Sequence, residues 1–183
     1  RRGEAGGGGL GWRVPGVGVG RRLAGCGALG RAVDVRVPGG SMGVSRLGAA
    51  LSAKLPADVS GLSAVAVPDQ VHARYAAIGR RYRYRYLDRP ARPALERNRC
   101  WHVPGPLSER AMGEAAKALV GRHDWTSFCA ASEPAASRPR TMRAASVRRS
   151  GEFVELEVVG TGFLRGPVRG IAGALAVARG SDG

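Results

Sequence analysis

The sequence predicts an α+β fold, in which a mixed or antiparallel sheet carries flanking helices. Two observations indicate this class. Segments with alternating apolar residues, typical of strands, stand beside segments whose apolar residues recur at helical spacing. The two kinds follow one another in mixed order with hairpin-like neighbours, which favours helices packed on one side of a sheet. The 183 residues are enough to bury a core and fit one domain or two small ones.

The first half of the chain contains three predicted strands and one predicted helix. The alternating valines of residues 32–37 (AVDVRV) are typical of a strand. Ser45 can cap a helix that covers roughly Arg46 to Leu55, because a serine side chain accepts from the free N–H groups of a helix start. Residues 62–68 (LSAVAVP) form a second predicted strand, and Arg80 to Leu87 form the third.

The second half of the chain contains two predicted helices and two predicted strands. Ser108 is the expected N-cap of a helix that ends before Gly121. Strands are predicted around Thr141 to Val147 and Glu152 to Val159, the second with its valines and leucine inward and its glutamates outward. A last helix is predicted over about Val168 to Ala178.

The charge balance points to a polyanionic partner. The formal net charge is +15, and only two of the 29 basic residues are lysines. GC-rich coding explains the choice of arginine over lysine but explains less readily why only 14 residues are acidic. Contact with nucleic acid and a merely solvated basic surface both remain open on charge alone.

Several other classes of protein are disfavoured. No run approaches the 18 apolar residues of a membrane span, and no targeting segment is recognisable. Cys26, Cys100 and Cys129 include no CxxC pair, so neither a zinc site nor a disulfide framework is supported. We therefore expect a reduced, cytoplasmic chain without a metal.

Four stretches in order resemble one enzyme family. They read LSAKLPADV from residue 51, VHARYAAIGRRYRYRYLD from residue 71, GRHDWTSFCA from residue 121 and GTGFLRGPVRGIAGAL from residue 160. Together they are similar to segments of the tRNA pseudouridine synthase A family, over about residues 20–180. One such motif is weak, but four at compatible spacing are specific.

The resemblance implies a fold, a reaction and partners. Family members isomerise uridine to pseudouridine in the anticodon stem-loop of tRNA, without cofactor or metal. They are homodimers with two subdomains around a basic cleft. The implied organisation is a Gly-rich segment over residues 1–23, an N-terminal subdomain over 24–88 and a truncated C-terminal subdomain over 89–183.

The same resemblance implies roles for particular residues. Tyr82 is the residue expected to stack on the target uracil. The strand pattern alone favours a core tyrosine at this position, and that interpretation is kept for Tyr84 and Tyr86. Arg169 is expected beside the catalytic carboxylate. The expected tRNA-binding residues are Val71, His72, Ala73, Arg74, Tyr75, Arg80, Arg81 and Arg140.

The catalytic aspartate of the family has no counterpart here. In the one convincing register, GRRLAGCGALGRAVDV from residue 20, Arg21 matches the family arginine and Leu23 occupies the position of the aspartate. Leucine has no nucleophilic atom, so this chain is not expected to catalyse the reaction. Asp34 lies eleven residues downstream, too far for a role that tolerates a misplacement of only about 1 Å.

Three interpretations follow. The first is a synthase by ancestry whose first residues, 1 to about 23, are a misread or frame-shifted remnant, since a Gly-rich start gives way abruptly to family pattern. The second is a non-catalytic RNA-binding remnant or tRNA chaperone. The third is an unrelated basic, ribosome-associated protein, against which the ordered motifs argue.

Overall fold

The computed structural model describes residues 17–18, 27–35, 42–73, 75–128, 139–163 and 166–177. They belong to two compact units, one around residues 28–77 and the other from residue 78 onward. The predicted α+β class is confirmed, because strands and helices occur in mixed order and the larger sheet is mixed. The predicted subdomain limits stay a prediction.

The first unit contains a short sheet and one helix. Strand β1 (Val17–Gly18) pairs antiparallel with β2 (Val33–Asp34), and helix α1 spans Val44–Ser52. The helix lies directly against the backbone at Gly61, where a Cβ would come within 2.8 Å of the Gly48 carbonyl oxygen. This close approach requires glycine at position 61.

Two predictions for this unit are wrong in detail. Helix α1 begins before Ser45, with Gly43 as its N-cap and no side-chain hydrogen bond to the cap. Residues 62–68 form no strand, and the side chains of Leu62 and Val65 are exposed. An apolar alternation yields a strand only where a neighbouring strand supplies hydrogen bonds, and residues 62–68 have no such neighbour in the described part of the chain.

The second unit is organised around a five-stranded sheet. Its spatial order is β4-β3-β7-β6-β5, and every neighbouring pair is antiparallel except β3 and β4. Strand β3 coincides with the predicted strand, β6 extends the predicted strand 141–147 at both ends, and β7 is the predicted strand 152–159 shifted by one residue. In chain order the strands are β3 (Arg80–Leu87), β4 (Trp101–His102), β5 (Gly121–Asp124), β6 (Pro139–Ser150) and β7 (Phe153–Gly160).

The core of this unit lies on one face of the sheet, under α2 (Glu109–Lys117) and α3 (Pro167–Val177). Successive side chains of a strand point to opposite faces, so alternate residues of β3 and β7 share the core. The inward positions predicted for β7 are confirmed. The most deeply buried side chains include Tyr86, Val154, Leu156, Val158, Met112 and Ile171.

A serine cap and a set of hydrogen bonds to Asp88, here called the clamp, fix the start of α2. As predicted, Ser108 caps the helix, since its Oγ accepts from the Ala111 N–H at 3.2 Å. Asp88, just after β3, accepts two hydrogen bonds from Arg149 of β6 and a third from the Leu107 N–H at 3.0 Å. The clamp therefore joins the end of β3, the end of β6 and the start of α2.

Candidate functional site

The three tyrosines of β3 differ sharply in exposure although they share one face. Tyr86 is buried, Tyr84 is half-buried against the core, and Tyr82 is 42% exposed. Helix α3 covers the far end of the strand, where the Tyr86 hydroxyl donates to the Ala172 carbonyl oxygen at 2.9 Å. Burial, with a smaller contribution from nearby Tyr84, raises the pKa of Tyr86 above its ordinary value, which keeps this hydroxyl a donor. The expected inward packing of Tyr84 and Tyr86 is confirmed.

The exposed ring of Tyr82 meets a second aromatic ring. The Tyr82 and Phe163 ring centroids are 5.0 Å apart and the ring planes are inclined by 81°, an edge-to-face arrangement. Phe163 lies just after β7, whose last residue, Gly160, allows the ring to come close. A Cβ at Gly160 would lie 3.1 Å from Phe163 Cζ and 3.0 Å from the Thr141 carbonyl oxygen.

Several arginines lie at the same end of the sheet. Arg80 opens β3 and pairs in register with Gly160 of β7, which in turn pairs with Met142 of β6. Next to Met142, the exposed Arg143 stands where the register of β6 shifts; such irregularities re-aim side chains. Among the described residues, neither Arg143 nor Arg140 forms an ion pair. Within the described part of the chain, the charges of Arg140 and Arg143 are thus not neutralised by a carboxylate.

On the opposite face, by contrast, arginines are neutralised. Glu155 is only 7% exposed, and its carboxylate pairs with three arginines: Arg83 at 3.8 Å, Arg85 at 3.6 Å and Arg148 at 3.1 Å. Glu157 pairs with Arg81 at 3.7 Å, although the Arg81 side chain remains 69% exposed. The glutamates of β7 do point away from the core as predicted, but the arginines cover Glu155. The positive charge on the arginine face of RRYRYRYLD, residues 80–88, is therefore largely neutralised by the glutamates of β7.

The segment 71–75 belongs to the first unit and is held by a side chain of β2. The Ala73 N–H donates to Asp34 Oδ1 at 2.8 Å, across 39 positions of sequence. The rings of His72 and Tyr75 lie 4.5 Å apart, and Tyr75 is strongly exposed. The Asp34 carboxylate thus anchors a segment that ends in an exposed aromatic ring.

Comparison with known proteins identifies the family. A family model described as tRNA pseudouridine synthase matches residues 115–182. The tRNA pseudouridine synthase A of Rhodopseudomonas palustris (strain BisB5) is 40% identical over 161 residues, which cover 86% of this chain and 64% of the relative. That of Acidiphilium cryptum (strain JF-5) is 51% identical over 102 residues, which cover 56% of this chain and 40% of the relative. Over most of its length, this chain is therefore similar to members of the tRNA pseudouridine synthase A family.

The chain spans only part of the length of its relatives in this synthase family. The matched part is 64% of the Rhodopseudomonas palustris protein, and 46% of the tRNA pseudouridine synthase A of Allorhizobium ampelinum, which is 43% identical over 120 residues. The family model and all three relatives carry the same activity in their names.

The residues expected from the synthase resemblance fall into three groups. The second unit holds Arg80, Arg81, Tyr82, Arg140 and Arg169. The first unit holds Val71, His72, Ala73 and Tyr75. Arg21, Leu23 and Arg74 lie outside the described residues. Of the first group, Arg169 is exposed on the first turn of α3, where its N–H donates to the Gly166 carbonyl oxygen at 2.9 Å.

Sequence reasoning missed two residues at the Tyr82 end of the sheet. Phe163 carries a signal, since it is the aromatic residue of the GTGF stretch that follows a predicted strand. Arg143 carries none, because a register shift inside β6 is not readable from residue types. A small cavity beside Phe163 is lined by Trp125, Arg140, Thr141, Met142, Gly162 and Pro167.

The described residues offer no metal site and no membrane span. No group of three or more histidine, cysteine, aspartate or glutamate side chains among them is placed to hold a metal ion. None of their helices combines the length and apolar character that crossing a bilayer demands. What they can do chemically is stack a planar group and bind anions.

Proposed function

We propose that this chain binds tRNA through the surface around Tyr82, as the substrate-holding part of a tRNA pseudouridine synthase that acts on the anticodon stem-loop. One observation carries the proposal. The Tyr82 ring is exposed and in edge-to-face contact with Phe163, at the end of the sheet where Arg140 and Arg143 form no ion pair with another described residue. The names of the relatives support tRNA as the substrate class.

The chemistry of the substrate fits such a surface. A uridine must leave the base stack before an enzyme can reach its glycosidic bond, and an exposed aromatic ring compensates part of the lost stacking. Stacking of one base on an aromatic side chain is worth about 1–3 kcal/mol. Arginines then hold the phosphates, since guanidinium groups stay charged at any relevant pH. Tyr82 supplies the ring, and Arg80, Arg140 and Arg143 supply the cations.

The bond-breaking step needs a group that the sequence does not provide at the expected place. Isomerisation cleaves the C1′–N1 bond, rotates the uracil and joins C1′ to C5, with a carboxylate as nucleophile or base. The position of that carboxylate is occupied by Leu23 in the family register. This observation favours a second candidate function, RNA binding without isomerisation, by a remnant or a tRNA chaperone.

We place this activity in the cytoplasm and in a homodimer, as the family resemblance implies. The formal net charge of +15 supports a polyanionic partner. Each neutralised phosphate releases condensed counterions, so affinity for tRNA should fall steeply as salt rises. A flat salt response would contradict the charge argument.

The decisive experiment incubates the purified chain with unmodified tRNA and measures both binding and pseudouridine in the anticodon arm. Binding without product would support RNA binding alone. Product would support the synthase and refute the assignment of Leu23 to the nucleophile position. Equal affinity for any RNA would instead favour a general basic RNA-binding protein.

Two substitutions sharpen this experiment. Tyr82→Leu should weaken tRNA binding by about 5- to 150-fold, which is the fold-change that corresponds to loss of one stacked base. Tyr82→Phe is the matched control and should bind almost as well, because it keeps the ring. Leu23→Asp restores the carboxylate; if this variant folds and still forms no product, the defect lies elsewhere in the chain.

A further inference from the structure

We infer that Phe163 is a positioning residue for Tyr82: it holds the tyrosine ring in the one orientation that leaves a face open to a flipped base. The inference rests on the proposed function and adds to it a residue outside the set that the family motifs suggest for substrate binding. It follows from three features of the structure: the ring geometry, the absence of a hydrogen bond to the Tyr82 hydroxyl among the described residues, and the way Phe163 is itself held.

The ring geometry keeps Phe163 off at least one face of the tyrosine. With ring centroids 5.0 Å apart and planes inclined by 81°, the contact engages at most one face of Tyr82. Edge-to-face pairs are directional, because the positive edge of one ring meets the negative face of the other. Phe163 therefore selects an orientation of the tyrosine ring and does not merely cover it.

No hydrogen bond from the described residues holds the Tyr82 ring in place. The hydroxyl of Tyr82 has no hydrogen-bond partner among the described residues, whereas the hydroxyl of Tyr86 is bonded to Ala172. Its ring is 42% exposed, and Phe163 is the described aromatic ring that it contacts. An exposed side chain without a hydrogen bond samples several rotamers. Loss of the Phe163 ring would therefore free Tyr82 to turn.

Phe163, by contrast, is held by contacts with the core. It is half-buried and packs against the core, and it forms one wall of the small cavity that Trp125 and Arg140 also line. The backbone at Gly160 leaves it room, since any Cβ there would lie 3.1 Å from Phe163 Cζ. A substitution at Gly160 should therefore displace the Phe163 ring without altering either aromatic side chain.

A double-mutant cycle tests the inference on the full chain. Affinity is measured for two otherwise identical RNA hairpins, one with uridine and one with an abasic site at the target position of the anticodon arm. Their ratio isolates the contribution of the base. Phe163→Leu should reduce the ratio by about 2- to 12-fold, the range expected from loss of an aromatic pair. Combined with Tyr82→Leu, it should have no further effect on the ratio.

A second measurement reads the tyrosine ring directly. 3-Fluorotyrosine is placed at position 82, and its ¹⁹F resonance reports the ring environment and its rate of flipping. Phe163→Leu and Gly160→Ala should both shift the resonance and speed the flips. Gly113→Ala is the matched control, because a Cβ on this α2 glycine meets no atom within 4 Å. It should leave both the spectrum and the binding ratio unchanged.

The outcomes separate the inference from the proposed function. If the wild-type chain binds both hairpins equally, the proposed function fails, and an unchanged fluorine spectrum in Phe163→Leu would then remove the inference as well. If the wild-type chain prefers the uridine hairpin and Phe163→Leu keeps the full preference, the positioning role is overturned, whatever the spectrum. A reduced preference together with a shifted resonance supports it.

Discussion

The clamp of Asp88, Arg149 and Leu107 should contribute measurably to the stability of the second unit. Arg149 donates to both carboxylate oxygens of Asp88, at 3.0 and 2.7 Å, and also to the Leu107 carbonyl oxygen at 3.1 Å. The Asp88 side chain is 9% exposed and that of Arg149 is 39% exposed. Asp88→Ala removes the acceptor for three hydrogen bonds and leaves the Leu107 N–H without a partner.

The magnitude follows from this geometry. Hydrogen bonds to a charged group are worth about 1.5–3 kcal/mol each, but water replaces part of the loss at the half-exposed Arg149. We expect Asp88→Ala to lower the free energy of unfolding by about 2–3 kcal/mol. Asp88→Asn keeps one acceptor oxygen, which can still accept from the Leu107 N–H, but it replaces the other oxygen by an NH2 donor and removes the charge. It should therefore cost less than Asp88→Ala, about 1–2 kcal/mol.

The pH dependence has a definite sign. Hydrogen bonds from Arg149, with help from the Leu107 N–H, lower the pKa of Asp88 below its ordinary value of 3.8. A group whose pKa is lower in the folded state stabilises fully above the unfolded pKa and loses this contribution as pH falls through the folded pKa. The difference between wild type and Asp88→Asn should therefore be constant above about pH 5 and shrink below about pH 4.

Urea unfolding followed by tryptophan fluorescence measures these differences, since Trp101 and Trp125 both lie in the second unit. Arg149→Lys is a useful companion, because lysine keeps the charge but cannot form the bidentate pair. A loss of less than about 0.5 kcal/mol for Asp88→Ala, within the range of an ordinary surface substitution, would refute the reasoning.

Two further predictions concern Asp34 and the glycines of α3. Asp34→Ala should weaken RNA binding about 3- to 10-fold relative to Asp34→Asn, because both variants lose the charge but only Asn keeps an acceptor for the Ala73 N–H. Equal affinities of the two variants in a filter-binding titration would contradict the anchoring role of Asp34. The free energy of unfolding of Gly170→Ala should be lower than that of Gly173→Ala by about 1–2 kcal/mol. A Cβ would lie 2.9 Å from the Phe128 ring at position 170 but would meet no atom within 4 Å at position 173. Equal stabilities of the two variants in calorimetry would argue against this packing.

Much of the second unit could be predicted from short-range patterns. Strand β3 coincides with its prediction, the inward residues of β7 are buried, and Ser108 caps α2. These features depend on local chemistry: side chains alternate along a strand, and a serine oxygen satisfies a free N–H at a helix start. The predicted strand over residues 62–68 was wrong because a strand also needs a neighbour, which no local pattern reports.

In the candidate site, too, some residues could be predicted from the sequence and others could not. Sequence motifs indicated Tyr82 and Arg140, but Phe163 and Arg143 emerged only when strand ends and a register shift placed them at the same end of the sheet. The alternating arginines of β3 looked available for RNA, yet the glutamates opposite them on β7 compensate much of their charge. Pairing across strands joins residues that are distant in sequence, so residue types alone could not assign these partners.

By itself the sequence determined the resemblance to the synthase family, the alternation of RRYRYRYLD and the side of β3 on which its tyrosines stand. Only the tertiary structure decided that these equivalent tyrosines differ, one exposed, one half-buried and one buried. The physical reason is that alternation assigns a side chain to a face of the sheet, whereas exposure depends on how far the helix packed on that face extends. Helix α3 covers Tyr86, and beyond its cover the ring of Tyr82 meets Phe163.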